Sequence, residues 1–277
     1  MAAIKQVLTI AGSDSGGGAG IQADIKTFQE LGVFGTSTIT AVTAQNTCGV
    51  HGVYPLSAEA VTAQIEAIGA DFQVAALKTG MLLNAEIIVE TAKGISKYGW
   101  KNLVVDPVMI AKGGAVLLQE DALATLRELL LPLATIVTPN IPEAEMLSGM
   151  EIRNAADRKN VAEKILDIGP EAVVIKGGHA KGSVFAEDYY LHQNGETFIL
   201  RSPWIETEQT HGTGCTFSAA LTAELAKGRA MREALHTAKR FIQAALSHQL
   251  HIGAGHGPTN HAAFQRFPKK GEVHLVP

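Results

Sequence analysis

The chain of 277 residues carries only two cysteines, Cys48 and Cys215. They lie far apart and match no zinc-ligand or redox spacing, which argues against a disulfide scaffold or a cysteine-built metal centre. A reducing, cytoplasmic setting is the expectation. Charge is also sparse: 18% of residues are charged, and the net charge is −4. No basic stripe stands out, so no nucleic-acid partner is expected. Long apolar runs are missing as well. Residues 31–50 carry no charge, but they are full of Thr, Gly, Asn and Gln. That is too polar for a membrane span, and no membrane partner is expected. The start, MAAIKQVLTIAG, reads as a first strand rather than a secretory signal. Ten histidines are present without an H-E-x-x-H or comparable metal motif.

What is present is a 46% hydrophobic chain, enough for a large buried core. Short β-branched runs alternate with Gly- or Asn-containing loops and helical stretches. Strands are expected at Gln6–Ala11, Ser37–Val42, Ala75–Thr79, Asn102–Asp106, Thr135–Thr138 and Ala172–Lys176. Helices are expected at 20–30, 57–68 (capped by Ser57), 84–98, 119–131 (ended by Pro132), 142–148, 155–168, 215–227 and 231–246. Asn194-Gly195, between 189–193 and 197–200, signals a hairpin. The pattern implies right-handed βαβ units: an α/β fold in three layers, its mostly parallel sheet covered by helices on both faces, with a small antiparallel edge. One domain spanning 1–277 is expected, with a loose tail from about Phe267.

Ligands bind beyond the carboxyl ends of the strands in such sheets. Those ends carry Gly12 to Gly20, then Gln45 and Asn46, Gly80 and Met81, Asp106-Pro107-Val108-Met109, Thr138-Pro139-Asn140 with Glu143, and Lys176-Gly177-Gly178. The last is Thr210 to Ala220, THGTGCTFSAA, a tight loop feeding a helix. The polar and glycine-rich chemistry thus gathers at one edge of the sheet, whereas a purely structural domain would spread its turn residues over both.

At 210–220, Gly212 and Gly214 let the backbone approach a ligand, and the first-turn N–H groups lack helical partners. Such a site suits an anion. The bland reading is an ordinary helix start with Cys215 as a small hydrophobe. Loop 12–20 is neither a P-loop nor G-x-G-x-x-G, since Ile21 stands where the third glycine is needed. That speaks against a nicotinamide or flavin enzyme. Asp24 is read either as a first-turn dipole partner or as a ligand contact. Glu143, three residues after Asn140, suits a first helical turn on dipole grounds alone; the functional alternative is a water-mediated hold on Mg²⁺, shared with Asp106. Lys176 ends an apolar strand at the crevice mouth, where its charge can meet phosphate. The set points to phosphoryl transfer.

LTIAGSDSGGGAGIQADIKTF, ITAVTAQNT, KTGML, DPVMIAKGG, TPNIPEAE, KGGH and HGTGCTFSAAL occur in that order. With them the chain, from Leu8 to about Phe264, resembles the hydroxymethylpyrimidine/phosphomethylpyrimidine kinases of thiamine biosynthesis, within the ribokinase-like superfamily. The resemblance implies ATP-dependent phosphorylation of 4-amino-5-hydroxymethyl-2-methylpyrimidine and then of its monophosphate. It implies Gln45 on the pyrimidine, with Gly12, Asp24, Met81 and Val108 around it. Lys176, Asn140 and Thr210 fall on the ATP side, with Asp106 and Glu143 for Mg²⁺. Gly212, Thr213 and Gly214 form the anion hole, with Cys215 at the base position. The family is commonly dimeric, and the resemblance leaves the place of K⁺ open. Pyridoxal kinase shares the superfamily fold; Ala44-Gln45-Asn46-Thr47 and Ala111 favour the pyrimidine. A non-catalytic pyrimidine-sensing module could dispense with Glu143, Lys176 or the anion-hole glycines, and all are present.

Most of the superfamily places aspartate where Cys215 stands. A thiol at a helix N-terminus is expected to have a lowered pKa. It is a plausible but imperfect base for an alcohol. The second acceptor is already a phosphate anion and needs no hydroxyl deprotonated, so a neutral side chain there would tolerate it where an aspartate would repel it.

Overall fold

The computed structural model describes residues 3–109, 118, 120–177, 184–267 and 272–276. The chain opens with β1 (Gln6–Asp14), α1 (Gly20–Glu30), β2 (Phe34–Asn46), β3 (Gly49–Pro55), α2 (Ala58–Asp71), β4 (Val74–Thr79), α3 (Ala85–Tyr98) and β5 (Leu103–Val105). It continues through α4 (Glu120–Thr125), β6 (Ile136–Val137), α5 (Ile141–Ser148), α6 (Ala155–Leu166), β7 (Ala172–Ile175), β8 (Phe185–His192) and β9 (Thr197–Pro203). It closes with α7 (Thr213–Ala226), α8 (Met231–Ser247), α9 (Ala263–Arg266) and β10 (His274–Val276).

One sheet holds the strands in the order β10-β9-β8-β7-β6-β5-β4-β1-β2-β3. The centre, from β2 to β7, is parallel. The α/β expectation holds, with one correction: antiparallel strands occur at both edges. β8, β9 and β10 extend one side, and β3 folds back on β2 at the other. β2 therefore runs through Gln45 and Asn46, which were expected in a loop after a shorter strand. The expected loose tail does not apply to His274–Val276, which pairs with Arg201–Ile199.

Alternation along the strands sorts the two faces. Leu8, Ile10, Leu77, Leu103, Val105, Val173 and Ile175 pack toward α2–α6. Val7, Ala76, Val104, Ala172 and Val174 pack toward α1, α7 and α8. By the same alternation Thr9, Lys78, Asp106 and Lys176 fall on the α1/α7 side. Strand register alone thus sends four polar side chains to one place.

Local chemistry sets most helix ends. Ser57 and Asn84 cap α2 and α3 through Ala60 N and Ile87 N, and left-handed Gly99 closes α3. The helix expected over 119–131 is not uniform. After α4 the chain widens into a π turn at Leu126–Leu130 and tightens into a 3₁₀ turn at Leu131–Leu133. Pro132, which cannot donate a backbone hydrogen bond, lies within that last turn instead of following it.

Candidate active site

Asp14, at the end of β1, organises the first glycine loop. Its carboxylate accepts from the amides of Gly16 (2.8 Å), Gly18 (3.0 Å) and Ala19 (2.8 Å). His211 Nε2 lies 2.8 Å from Asp14 Oδ2, tying the 210–214 loop to the 12–20 loop. Burial raises the Asp14 carboxyl, but His211 and these amides more than offset that and hold it below its ordinary value. Gly212 has φ +81°, and a Cβ there would strike the Gly18 carbonyl oxygen. Only glycine lets the two loops meet this closely.

Gly212 is also the N-cap of α7, without a side-chain cap. Thr210 O accepts from Thr213 N (3.3 Å) and Thr213 Oγ1 (2.7 Å). Among the described residues the amides of Gly214 and Cys215 meet no acceptor, which leaves two donors at the positive end of the helix. Cys215 keeps part of its surface at the crevice. Its thiol is nonetheless pushed up to about 11: burial dominates, Lys78 pulls down, and Asp24 and Asp106 push up again. The expected lowering at a helix start is overturned, because loss of water around the sulfur outweighs the dipole.

Asp106 follows β5 and gathers three donors. Lys176 Nζ is 2.8 Å from its Oδ1, Thr138 Oγ1 3.2 Å from the same oxygen, and Ser218 Oγ 3.3 Å from Oδ2. Burial raises this carboxyl, but Lys176 and Lys78 bring it below its ordinary value. Lys176 lies across from the helix start, its Nζ 3.3 Å from where a Gly214 Cβ would sit. Asn140 and Glu143 form a reciprocal cap on α5: Glu143 N donates to Asn140 Oδ1 (2.9 Å), and Asn140 N donates to Glu143 Oε2 (2.8 Å).

Glu143 has a carboxyl raised to about 7, by burial first, with Lys176 opposing and Asp106 adding to the rise. Lys176 faces both carboxyls, and Lys78 acts on Asp106 from below. Among the described residues no group of three His, Cys, Asp or Glu side chains could cage an ion. The oxygens of Asp106 and Glu143 suit a divalent cation held through water, as magnesium is commonly held, and such an ion would favour the ionised form of Glu143.

Glu143 and His261 act on the pH dependence in opposite senses: burial holds the His261 imidazole down to about 4, so its contribution to stability grows as pH rises toward about 6.5. The folded pKa of Glu143 is raised, so the stability associated with its protonated form is present below about pH 4.5 and is lost as pH rises toward about 7. The loss is on the order of 3 kcal/mol. Thermal unfolding of both proteins between pH 5 and 8 isolates it: the stability of the wild type relative to Glu143→Gln is expected to fall as pH rises. Equal slopes in the two proteins would assign the pH dependence elsewhere.

On the other side of the crevice, Met81, Ala41, Val53 and Val108 form a small apolar patch. A Cβ on Gly12 would overlap Met81 Cε, so Gly12 leaves room for that methionine. Gln45 sits at the rim, its Nε2 3.3 Å from His211 Nε2. The expected residues Gly12, Gln45, Met81, Val108, Asn140, Glu143, Lys176, Thr210 and Gly212–Cys215 thus line one edge, with Asp106 just beneath.

Asp24 is the exception. It is fully buried in the second turn of α1, not the first, and is held by Lys78 Nζ (2.8 Å) and Thr9 Oγ1 (2.6 Å). It is neither a dipole partner nor a surface for substrate. Asp14, His211, Lys78 and Ser218 were not singled out from the sequence. A lysine inside the apolar strand VAALKT was the one available signal. Ala111 and Gly178 lie outside the described residues.

The family model for phosphomethylpyrimidine kinase matches residues 14–260. The hydroxymethylpyrimidine/phosphomethylpyrimidine kinase of Bacillus subtilis is 55% identical over 264 residues, covering 95% of this chain and 97% of that protein. Its namesake in Haemophilus influenzae is 56% identical over 268 residues, covering 96% and 100%. Among solved structures, the pyridoxal kinase of Staphylococcus aureus in complex with ADP is similar with a TM-score of 0.92 and 37% identity, over 99% of both chains. The match spans the loops that build this crevice, and the chain belongs to the phosphomethylpyrimidine kinase family.

Proposed function

We propose that the protein is an ATP-dependent kinase that phosphorylates 4-amino-5-hydroxymethyl-2-methylpyrimidine and then its monophosphate to the diphosphate, in thiamine biosynthesis. The observation that carries this reading is Lys176, whose ammonium lies against Gly214 at the start of α7. A fixed cation and unpaired helix-start amides meet where a transferring phosphoryl group gathers charge.

The roles follow from position. Gly12, Met81 and Val108 seat the pyrimidine ring, and Gln45 hydrogen-bonds its polar edge. Lys176, Asn140 and Thr210 take the nucleotide side. Asp106 and Glu143 would hold Mg²⁺ through water, and the ion would screen the phosphate charge. The Gly214 and Cys215 amides receive the phosphoryl oxygens and Gly212 shapes the loop, whereas Thr213, expected among the donors, spends its amide and hydroxyl on Thr210 O. Cys215 stands beside the acceptor as a neutral wall, since a thiol raised to about 11 keeps its proton at neutral pH. The alcohol proton then passes late to an oxygen of the transferred phosphoryl group, as a loose transition state allows. Asp24 supports this floor from below and does not touch the ring.

A homodimer in the cytoplasm is the accompanying proposal. Both cysteines are free, and Cys48 is exposed, which suits a reducing compartment. The S. aureus neighbour favours one second activity, on pyridoxal-type alcohols. An ATP-consumption assay with the pyrimidine alcohol, its phosphate and pyridoxal tests all three. Turnover of the first two is expected, with kcat/KM for pyridoxal at least about tenfold lower. No turnover of any of them would end the kinase reading.

A further inference from the structure

Below the crevice, side chains from distant parts of the sequence form a line of alternating charge. Thr9 Oγ1 donates to Asp24 Oδ2 (2.6 Å), and Lys78 Nζ donates to Asp24 Oδ1 (2.8 Å). The same Lys78 Nζ donates to Ser218 Oγ (2.9 Å), which faces Asp106 Oδ2 at 3.3 Å. Lys176 Nζ then closes on Asp106 Oδ1 at 2.8 Å. Lys78 and Asp24 have no exposed side-chain surface.

Stability alone explains Lys78 poorly. Removing two charges from water costs several kcal/mol per ion, and an apolar pair of similar volume often holds a core as well or better. Lys78 sits in β4 beside Ala76, Leu77 and Thr79, all fully buried. What an apolar residue could not reproduce is the second bond. Ser218 lies one turn beyond Gly214 and Cys215, and its Oγ is 3.1 Å and 3.0 Å from their carbonyl oxygens. The hydroxyl that Lys78 holds is therefore packed under the helix start and against the partner of Lys176.

We propose that Lys78 is a positioning residue for phosphoryl transfer: through Ser218 it fixes the first turn of α7 against Asp106, so that the Gly214 and Cys215 amides and the Lys176 ammonium face one point. This rests on the kinase reading above. Lys78 touches no substrate. Its loss has two effects: it strands the Asp24 carboxylate inside the protein, and it releases Ser218. The first is structural and the second is the proposal.

The double variant Asp24→Asn/Lys78→Met removes both charges and separates the effects. The expected result is a Tm near that of the wild type, KM for ATP and acceptor within about threefold, and kcat lower by about 100-fold. Ser218→Ala leaves the Asp24–Lys78 pair intact and is expected to lower kcat about tenfold without moving Tm. Affinity for ADP alone should hold in both variants. Affinity for ADP with aluminium fluoride and the pyrimidine alcohol should fall in parallel with kcat.

A double variant with kcat within threefold of wild type would overturn the proposal, leaving Lys78 as a mere counter-charge for Asp24. So would Ser218→Ala with unchanged kcat, and that variant decides alone if the double variant does not fold. Failure of the kinase reading would look different: the wild type itself would show no turnover.

Discussion

Cys215→Asp is expected to lower kcat/KM for the phosphorylated acceptor about 1000-fold, and for the alcohol far less. The reason is charge. The wild-type thiol keeps its proton at neutral pH, with burial pushing it up to about 11. An aspartate at this position would face the incoming phosphate. Two unit charges about 4 Å apart near a protein surface repel by roughly 4 kcal/mol, which is the expected factor. The alcohol carries no charge, and a carboxylate could even assist its proton loss. Cys215→Ser separates charge from size: it is neutral and small, and both steps should survive within about tenfold. The check is kcat/KM for alcohol and monophosphate in the three proteins. If the aspartate variant loses both steps equally, or neither, Cys215 does not discriminate by charge.

Lys176→Met is expected to lower kcat on both acceptors by about 1000-fold, the scale of losing one preorganised charge at a phosphoryl group. Here the two steps should fall together, because the lysine acts on the transferred group and not on the acceptor. Removing the ammonium also leaves Asp106, among the described residues, with Ser218 and Thr138 as direct side-chain donors. Asp106 and Glu143 would then face each other without their cation, and the Glu143 carboxyl should rise further above about 7. Single-turnover kinetics would separate lost chemistry from weaker nucleotide binding. A fall confined to KM for ATP would reduce Lys176 to a binding contact.

Much of the molecule was legible in the sequence where a local signal sets the structure. Gly20–Glu30, the Ser57 cap and the Asn194-Gly195 turn each carry their cause within a few residues. So does the gathering of polar loops at one sheet edge, since strand alternation and the parallel topology leave few other arrangements. What escaped is non-local. β3 reads HGVYP in its second half, with a glycine and a proline that argue against a strand, and it forms by pairing with the extension of β2. Lys78 finds its partners 54 and 140 positions away. No spacing rule joins VAALKT to a helix that begins after residue 210. Asp24, whose place in the sequence suits a dipole partner or a ligand contact, pairs with that lysine instead. Cys215 failed in the opposite sense. The local rule for a helix start was sound, but the packing around the sulfur outweighed it.

Stoichiometry tests the two successive phosphorylations most directly. With excess ATP and Mg²⁺, ³¹P NMR of the pyrimidine alcohol with the wild-type enzyme should show a monophosphate signal rise and decay. The coupled signals of a diphosphate should replace it, with two ADP formed for each pyrimidine consumed. A reaction that stops at the monophosphate, with one ADP formed per pyrimidine, would contradict the claim that this crevice accepts first an alcohol and then a phosphate.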